Sequence, residues 1–462
     1  MDNLTYQSPF SWRYGSDDMR KIWSEYNTRS LWRRIWVALA EVQIDYGLVS
    51  KDQAASLKNK IDDVDLSQSM EMESQLQHDL MAEMKVFADQ CPDAGGILHL
   101  GATSMDIKDN AVVLQQKDAI KHILMRSKEV LSVLSQLILK WMDTPLIGFT
   151  HLQPAEPTTL GYRLAQPAQD LLKFHQELAR FAEDLKGKGF NGAVGTSASF
   201  AVLLGEENLP EFHDKISKKL DLEFFPVVNQ TYPRIQDYQL LSLLAGQGAV
   251  LYKLAFDLRL LQSPVLGELS EPFGKNQVGS SAMPFKQNPI KAEKLNSLGR
   301  ILAQMPRTAW DNAAHSLLER TLDDSANRRS VLPEAFLCAD EMLVIMTEIL
   351  SGLQVHEDAM KKNLGEFGPF AATEKVLMLL SKKGADRQKM HTQLRDHSLQ
   401  AWATVRKGEL NPLEDLVAGD PVFQEYLSPE ELHEAMQGEA YLGDAVKRAR
   451  GLAEEIEDFL DS

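Results

Sequence analysis

Between Asp109 and Trp141 apolar residues recur at helical spacing through Val113, Ile120, Leu124, Leu131, Leu134 and Ile138, with Pro145 just past the end. At 1.5 Å per residue this period predicts a helix roughly 50 Å long. Comparable stretches follow. One is expected from Thr158 to about Leu185, kinked at Pro167 and stopped by Gly187 and Gly189, and another from Gln236 to Gln262. A further one starts near Pro289, and the last runs from Pro333 to Leu353. The β-branched and aromatic runs between turns that would signal strands are scarce. The expectation is an all-α chain organised round an elongated bundle, its long apolar faces buried partly against other chains.

A length of 462 residues allows two or three structural units. Before Thr103 the helices look shorter, such as Leu31 to Tyr46 ended by Gly47, and after His356 short helices are expected, broken at Gly365, Pro369, Gly384, Pro412 and Pro421. The chain therefore divides into an N-terminal helical domain (1–103), a central long-helix bundle (104–356) and a C-terminal helical domain (357–462). A net charge of −17 argues against nucleic-acid binding, which draws on clustered Lys and Arg. Cys91 and Cys338 are too few for a disulfide scaffold, which fits a reducing cytosol. Met1-Asp2-Asn3-Leu4-Thr5 lacks the marks of a signal peptide, so a cytoplasmic location is expected. The apolar run Leu240 to Leu261 carries Gln247, Lys253, Asp257 and Arg259, which suits a bundle centre better than a membrane.

One segment departs from this helical background: Gly279-Ser280-Ser281-Ala282-Met283-Pro284-Phe285-Lys286-Gln287-Asn288-Pro289. Small residues let the backbone approach a ligand, while Pro284 and Pro289 remove N–H donors and keep the segment out of a helix interior. Two hydroxyls, a cation and an amide on such a loop can close over a carboxylate, although an ordinary Ser/Gly/Pro turn has the same composition. Gly274 and Gly279 have the glycine spacing of a phosphate-binding P-loop, but Ser280 stands where that motif needs Lys and no strand-like run precedes it. Nor is Ser280 the nucleophile of a Gly-x-Ser-x-Gly elbow, because no glycine follows at the needed place.

Three of the eleven histidines have a context suited to chemistry. His151 lies in Thr150-His151-Leu152-Gln153-Pro154-Ala155-Glu156-Pro157-Thr158, read as a rigid two-proline turn opening a long helix, a place for an acid or base. His78 precedes Asp79, and His99 opens His99-Leu100-Gly101-Ala102-Thr103-Ser104, whose two hydroxyls precede the Asp109 helix and could bind an anion. A helix-end histidine bonded to backbone fits each of them as well. No His-x-x-x-His or Cys-x-x-Cys spacing occurs, so no metal site is expected. Between Glu319 and Arg329, Arg320, Arg328 and Arg329 flank Ser325, and guanidinium forks suit phosphate. With a helix beginning near Asp324, Ser325 and Arg329 share a face. Asp323 and Asp324 could instead satisfy the same arginines.

The string from Gly279 to Pro289 fits Gly-Ser-Ser-x-x-Pro-x-Lys-x-Asn-Pro and resembles, without a gap, the signature loop of the fumarase/aspartase superfamily of lyases. Within it, Trp12-Arg13-Tyr14, the His99 and His151 segments, Gln230-Thr231-Tyr232 and the Arg320-to-Arg329 segment resemble the adenylosuccinate lyases in the family's order. Toward the C-terminus the match is looser, apart from Gly384-Ala385-Asp386-Arg387-Gln388. The resemblance implies an all-α homotetramer of three-domain subunits with active sites shared between three chains, and no cofactor. The implied activity is elimination of fumarate from two purine-pathway substrates, adenylosuccinate and the succinyl-aminoimidazole carboxamide ribotide. Ser280 would be the base and His151 the acid for the leaving amine, with Glu293 orienting His151 and His78 supporting the substrate near its phosphate. Thr103, Ser104, Lys286 and Asn288 would hold the fumarate-forming part. Asp79 and Gln230 would be further substrate contacts, and the phosphate would fall to Arg13, Tyr14, Arg320, Ser325 and Arg329. Phe285, Gln287 and Lys294 depart from residues common in the family, which touches contacts beside the loop and not the base. Argininosuccinate lyase, fumarase and aspartase share the loop but do not require the arginine segment, and a non-catalytic helical scaffold would not require Ser280, Lys286, Asn288 and His151.

Overall fold

The computed structural model describes residues 4–461; Met1–Asn3, on which part of the leaderless reading rests, and Ser462 lie outside the described residues. Helices dominate, as the periodicity predicts, and the longest spans Ser104–Trp141. It begins ahead of the expected Asp109 because Asp106 in its first turn accepts the Thr103 N–H at 2.8 Å, an acid at the positive helix end. Leu160–Glu183, Ile235–Leu261, Ile290–Leu302 and Asp323–Ser351 are the other long helices of the central part.

Two expectations are corrected. The helix placed from Pro333 starts at Asp323 and carries Pro333 inside it, and the chain after His356 is not broken at Gly365 and Pro369 but forms one helix, Glu357–Lys382. An interior proline costs about 3 kcal/mol. Burial of Leu332 and Phe336 beside one proline, and of Leu364 and Val376 on either side of the other, offsets it at about 1.5–3 kcal/mol per large side chain.

Among the described residues, strands are confined to two antiparallel pairs, Pro145–Thr150 with Gln153–Thr159 and Leu269–Ser270 with Gln354–Val355. The first corrects the reading of 150–158 as a turn opening a helix. Pro154 and Pro157 lie in a two-stranded ribbon, where an absent N–H is tolerated at an edge. Among the described residues no helix is long and apolar enough to cross a membrane.

The chain forms two compact units. One takes the chain up to Ser127 with Phe174–Ala249 and Leu298–Val344, the other Lys128–Lys173, Val250–Ser297 and the chain from Ile345 onward. In the first, Trp32, Ile35 and Trp36 of the helix Glu25–Gln43 pack with Phe87, Phe200 and Phe212. That helix starts at Ser24, whose hydroxyl accepts the Asn27 N–H. Its buried Arg33 is matched by buried Glu83 at 2.6 Å, the pairing that an interior charge requires. In the second unit, Ile147 packs on Leu364 and Ala371 of the helix Glu357–Lys382, and Arg163 Nη2 donates to Ile147 O at 2.7 Å. These contacts seat the hairpin whose tip carries His151.

Candidate functional site

In the second unit the signature loop folds tightly on itself. A Cβ at Gly279 would lie 2.1 Å from Lys286 O, so only glycine fits between the two limbs. Asn288 Nδ2 donates to Gly279 O at 3.0 Å, and Lys286 N–H to Met283 O at 3.1 Å. The Ser280 hydroxyl oxygen accepts the N–H of Ala282 at 3.3 Å and of Met283 at 3.1 Å. Two amide dipoles aimed at one oxygen favour negative charge on it, the condition under which a serine takes a proton. Ser280, Lys286 and Asn288 are thus brought together, with the Lys286 side chain exposed. Glu293, in the first turn of Ile290–Leu302, lies 3.7 Å from Arg259 Nη2.

His151 and Leu152 form the two-residue turn between Thr150 and Gln153, with φ of 54° and 59°. Two successive left-handed residues make the turn that matches strand twist. Neither is Gly or Asn, so each carries strain of about 1–2 kcal/mol. The turn exposes His151, and among the described residues no hydrogen bond joins it to Glu293.

The first unit holds a second group. Asp79 is buried and binds Lys108 Nζ through both oxygens, at 2.9 and 2.6 Å, and Arg329 Nη2 at 2.7 Å. Burial pushes its carboxyl up, but Lys108, then the Leu80 N–H and then Arg329 outweigh burial and hold it at about 2. His78 is the N-cap of Asp79–Gln90, its Nδ1 accepting the Met81 N–H at 3.3 Å, so the backbone-bonded alternative is realised for one ring nitrogen only. Burial, with His78 nearby, pushes His99 down to about 4. Trp36 Nε1 donates to His99 Nδ1 at 3.1 Å, so His99 is neutral with its proton on Nε2. The helix start expected to offer Thr103 and Ser104 to an anion is partly occupied by Asp106, which also pairs with Lys188.

Arg13 is exposed, its guanidinium 5.2 Å from the Trp12 ring centre. Tyr14, half-buried, meets Phe10 edge to face. The residues that follow are pinned to the helix Asp323–Ser351. Gly15 N–H donates to Glu341 at 3.0 Å and Ser16 N–H to Asp340 at 2.6 Å. Ser16, His122 and Asp340 are not a nucleophile triad, because both contacts fall on the same nitrogen, His122 Nε2.

The three arginines near Ser325 separate by environment. Arg328 is committed to Asp237 at 2.9 Å and to the Tyr232 hydroxyl at 2.6 Å. Arg320 meets Asp324 at 2.7 Å, and Asp324 also takes buried Arg234, which in turn holds Asp109. Arg329, 57% exposed, is the most accessible. Ser325 is half-buried one turn from it. Gln230 Nε2 donates to Ala193 O at 3.2 Å, beside an open cavity of about 420 Å³ lined in part by Asn229, Thr231, Arg234 and Trp310. Asp324 takes Arg320 as the charge-paired alternative expects, whereas sequence reasoning missed Lys108 and Arg234 as partners. Only Lys108 left a signal, standing one helical turn after Ser104.

Residues 16–302 match the family described as Lyase, and residues 369–450 match Adenylosuccinate lyase C-terminus. Adenylosuccinate lyase of Caenorhabditis briggsae is 39% identical over 402 residues, 86% of this chain and 84% of that protein. The enzyme of the same name from Saccharomyces cerevisiae is 36% identical over 452 residues, 96% and 93% of the two chains. Among solved structures, the fumarate lyase from Mesorhizobium sp. BNC1 has a TM-score of 0.85 at 26% identity, covering 97% of this chain and 99% of its own.

Proposed function

The chain belongs to the adenylosuccinate lyase family, and from that membership we propose that it eliminates fumarate from adenylosuccinate, giving AMP, and from the succinyl-aminoimidazole carboxamide ribotide. Its reaction class is C–N lyase. Removing a proton from the carbon beside a carboxylate builds a doubly charged aci-carboxylate. The site therefore needs a base, groups preorganised for negative charge, and an acid for the departing nitrogen.

Ser280 is the base we assign, and the observation that carries this reading is its oxygen held under the Ala282 and Met283 N–H groups. Lys286 and Asn288, with Thr103 and Ser104, would hold the developing carboxylate, and His151 would protonate the leaving amine. Exposure of His151 on a strained turn and of Lys286 on a Gly/Pro loop suits groups that meet a ligand. Arg329, with Arg13, Tyr14, Arg320 and Ser325, would take the phosphate, and His78, Asp79 and Gln230 would line its approach. Arg329 would then exchange Asp79 for phosphate while Lys108 stays on that carboxylate.

We infer a homotetramer in which each site draws residues from more than one chain. Support comes from Glu293, which would orient His151 but is paired with Arg259 within its own chain. The division into 1–103, 104–356 and 357–462 and a cytoplasmic location belong to the same proposal. Turnover of adenylosuccinate followed in the ultraviolet, with Ser280→Ala and His151→Ala beside it, tests the assignment. Each substitution should cost at least about 10² in rate, and a smaller loss in both would remove Ser280 and His151 from their roles.

A further inference from the structure

The base of the signature loop is closed by a carboxylate that the elimination itself does not use. The helix Ile290–Leu302 follows Pro289, whose carbonyl accepts the Glu293 N–H at 2.9 Å, so Pro289 stands at the N-cap. Proline has no side-chain oxygen, and the free N–H groups of the first turn must find an acceptor elsewhere. Glu271 supplies it from the other end of the loop. Its two oxygens each lie 3.1 Å from the Lys291 N, and Oε2 also accepts the Ala292 N–H at 3.0 Å.

Glu271 is 2% exposed. Its own N–H donates to Gln262 Oε1 at 3.0 Å, and Gln262 Nε2 donates to Gln287 O at 3.1 Å, which ties the descending limb to the same support. Three closures are therefore nested: Glu271 to Lys291 and Ala292, Gly279 to Asn288, and the Ser280 oxygen to Ala282 and Met283. The innermost presents the base, and the outermost fixes where both limbs leave the helical scaffold. A carboxylate at a helix N-terminus gains from the helix dipole and from charge-assisted bonds, so this closure is stronger than a neutral turn contact.

We propose that Glu271 is a positioning residue for the elimination. By capping the helix that Pro289 cannot cap, it holds Ser280, Lys286 and Asn288 in register for attack. The proposal rests on the assignment of Ser280 as base. Displacement of a reacting group by about 1 Å can cost on the order of 10² in rate, and freeing the loop base permits movements of that size.

The test compares Glu271→Ala and Glu271→Gln in the full-length protein, with adenylosuccinate as substrate, well below each melting temperature. Trypsin cleavage after exposed Lys275 and Lys286 is followed in parallel. Glu271→Ala should lower kcat by about 10- to 100-fold with KM changed much less, and should speed cleavage in the loop. Glu271→Gln keeps one acceptor oxygen and should recover part of the rate, remaining about 3- to 10-fold below the unsubstituted protein. The proposal is overturned by kcat within twofold of the unsubstituted protein in both variants. Should Glu271→Ala fail to fold, the same result in Glu271→Gln with an unchanged cleavage rate overturns it. A fall in melting temperature with kcat preserved also counts against it. Full activity in Ser280→Ala would overturn the base assignment on which it rests, and is read separately from either Glu271 variant.

Discussion

Adding a single methyl group at Gly279 should silence the protein without unfolding it. The Cβ of Gly279→Ala would sit 2.1 Å from Lys286 O, and that oxygen belongs to backbone that cannot rotate away. Ordinary contact begins near 3.4 Å, so one limb of the loop must move by about 1.3 Å, against the Asn288 bond to Gly279 O. A shift of that size at the reacting groups is expected to cost on the order of 10² in kcat, which is about 2.7 kcal/mol of transition-state stabilisation. The fold should be spared, because residues 280–287 lie largely at the surface. Gly451→Ala is the control. It lies in the helix Ala445–Asp461, is exposed, and an added Cβ meets nothing within 4 Å. It should be neutral or stabilising by up to about 1 kcal/mol. Steady-state kinetics and thermal melts of both proteins make the comparison. Gly279→Ala retaining more than about a third of the rate would refute the claim that the loop's close packing sets the geometry of the base.

His151→Asn keeps a residue that tolerates left-handed backbone but removes the ionisable ring, so kcat should fall by about 10² to 10⁴ with the melting temperature unmoved; a matching loss of stability would show that the residue serves the turn alone. The depressed Asp79 carboxyl makes the fold sensitive to acid. Its value falls from the ordinary 3.8 to about 2, so the unfolded chain takes the proton first. The stability it contributes, at most about 2 kcal/mol, is complete above about pH 4 and is lost as the pH falls toward about 2. Denaturant titrations across that window should show the slope reduced in Asp79→Asn. Arg328→Met strips a cation from buried Asp237 and Tyr232, and should destabilise by about 3–5 kcal/mol in urea unfolding.

The long helices were legible because their apolar residues recur at a period that burial preserves from end to end. Their interruptions were less so. Pro333 reads as a helix start and Pro369 as a break, yet both lie inside helices, since the cost of a lost backbone bond is local and the burial that outweighs it comes from distant segments. The His151 hairpin was hidden for a related reason. A two-residue turn usually announces itself by Asn-Gly or Asp-Gly, and His151-Leu152 takes the same backbone shape without either. Within the site, the loop residues were readable as a contiguous string. The partners that tune them were not, because Lys108 and Arg329 approach Asp79 from far along the chain and Glu271 reaches Lys291 across the whole loop.

The most direct test of the account is turnover of adenylosuccinate by the purified protein, read in the ultraviolet beside argininosuccinate, with Ser280→Ala as control. The account predicts that adenylosuccinate is consumed, that argininosuccinate is not, and that the substitution lowers the rate by at least about 10². Turnover of argininosuccinate alone, or undiminished activity in Ser280→Ala, would contradict it.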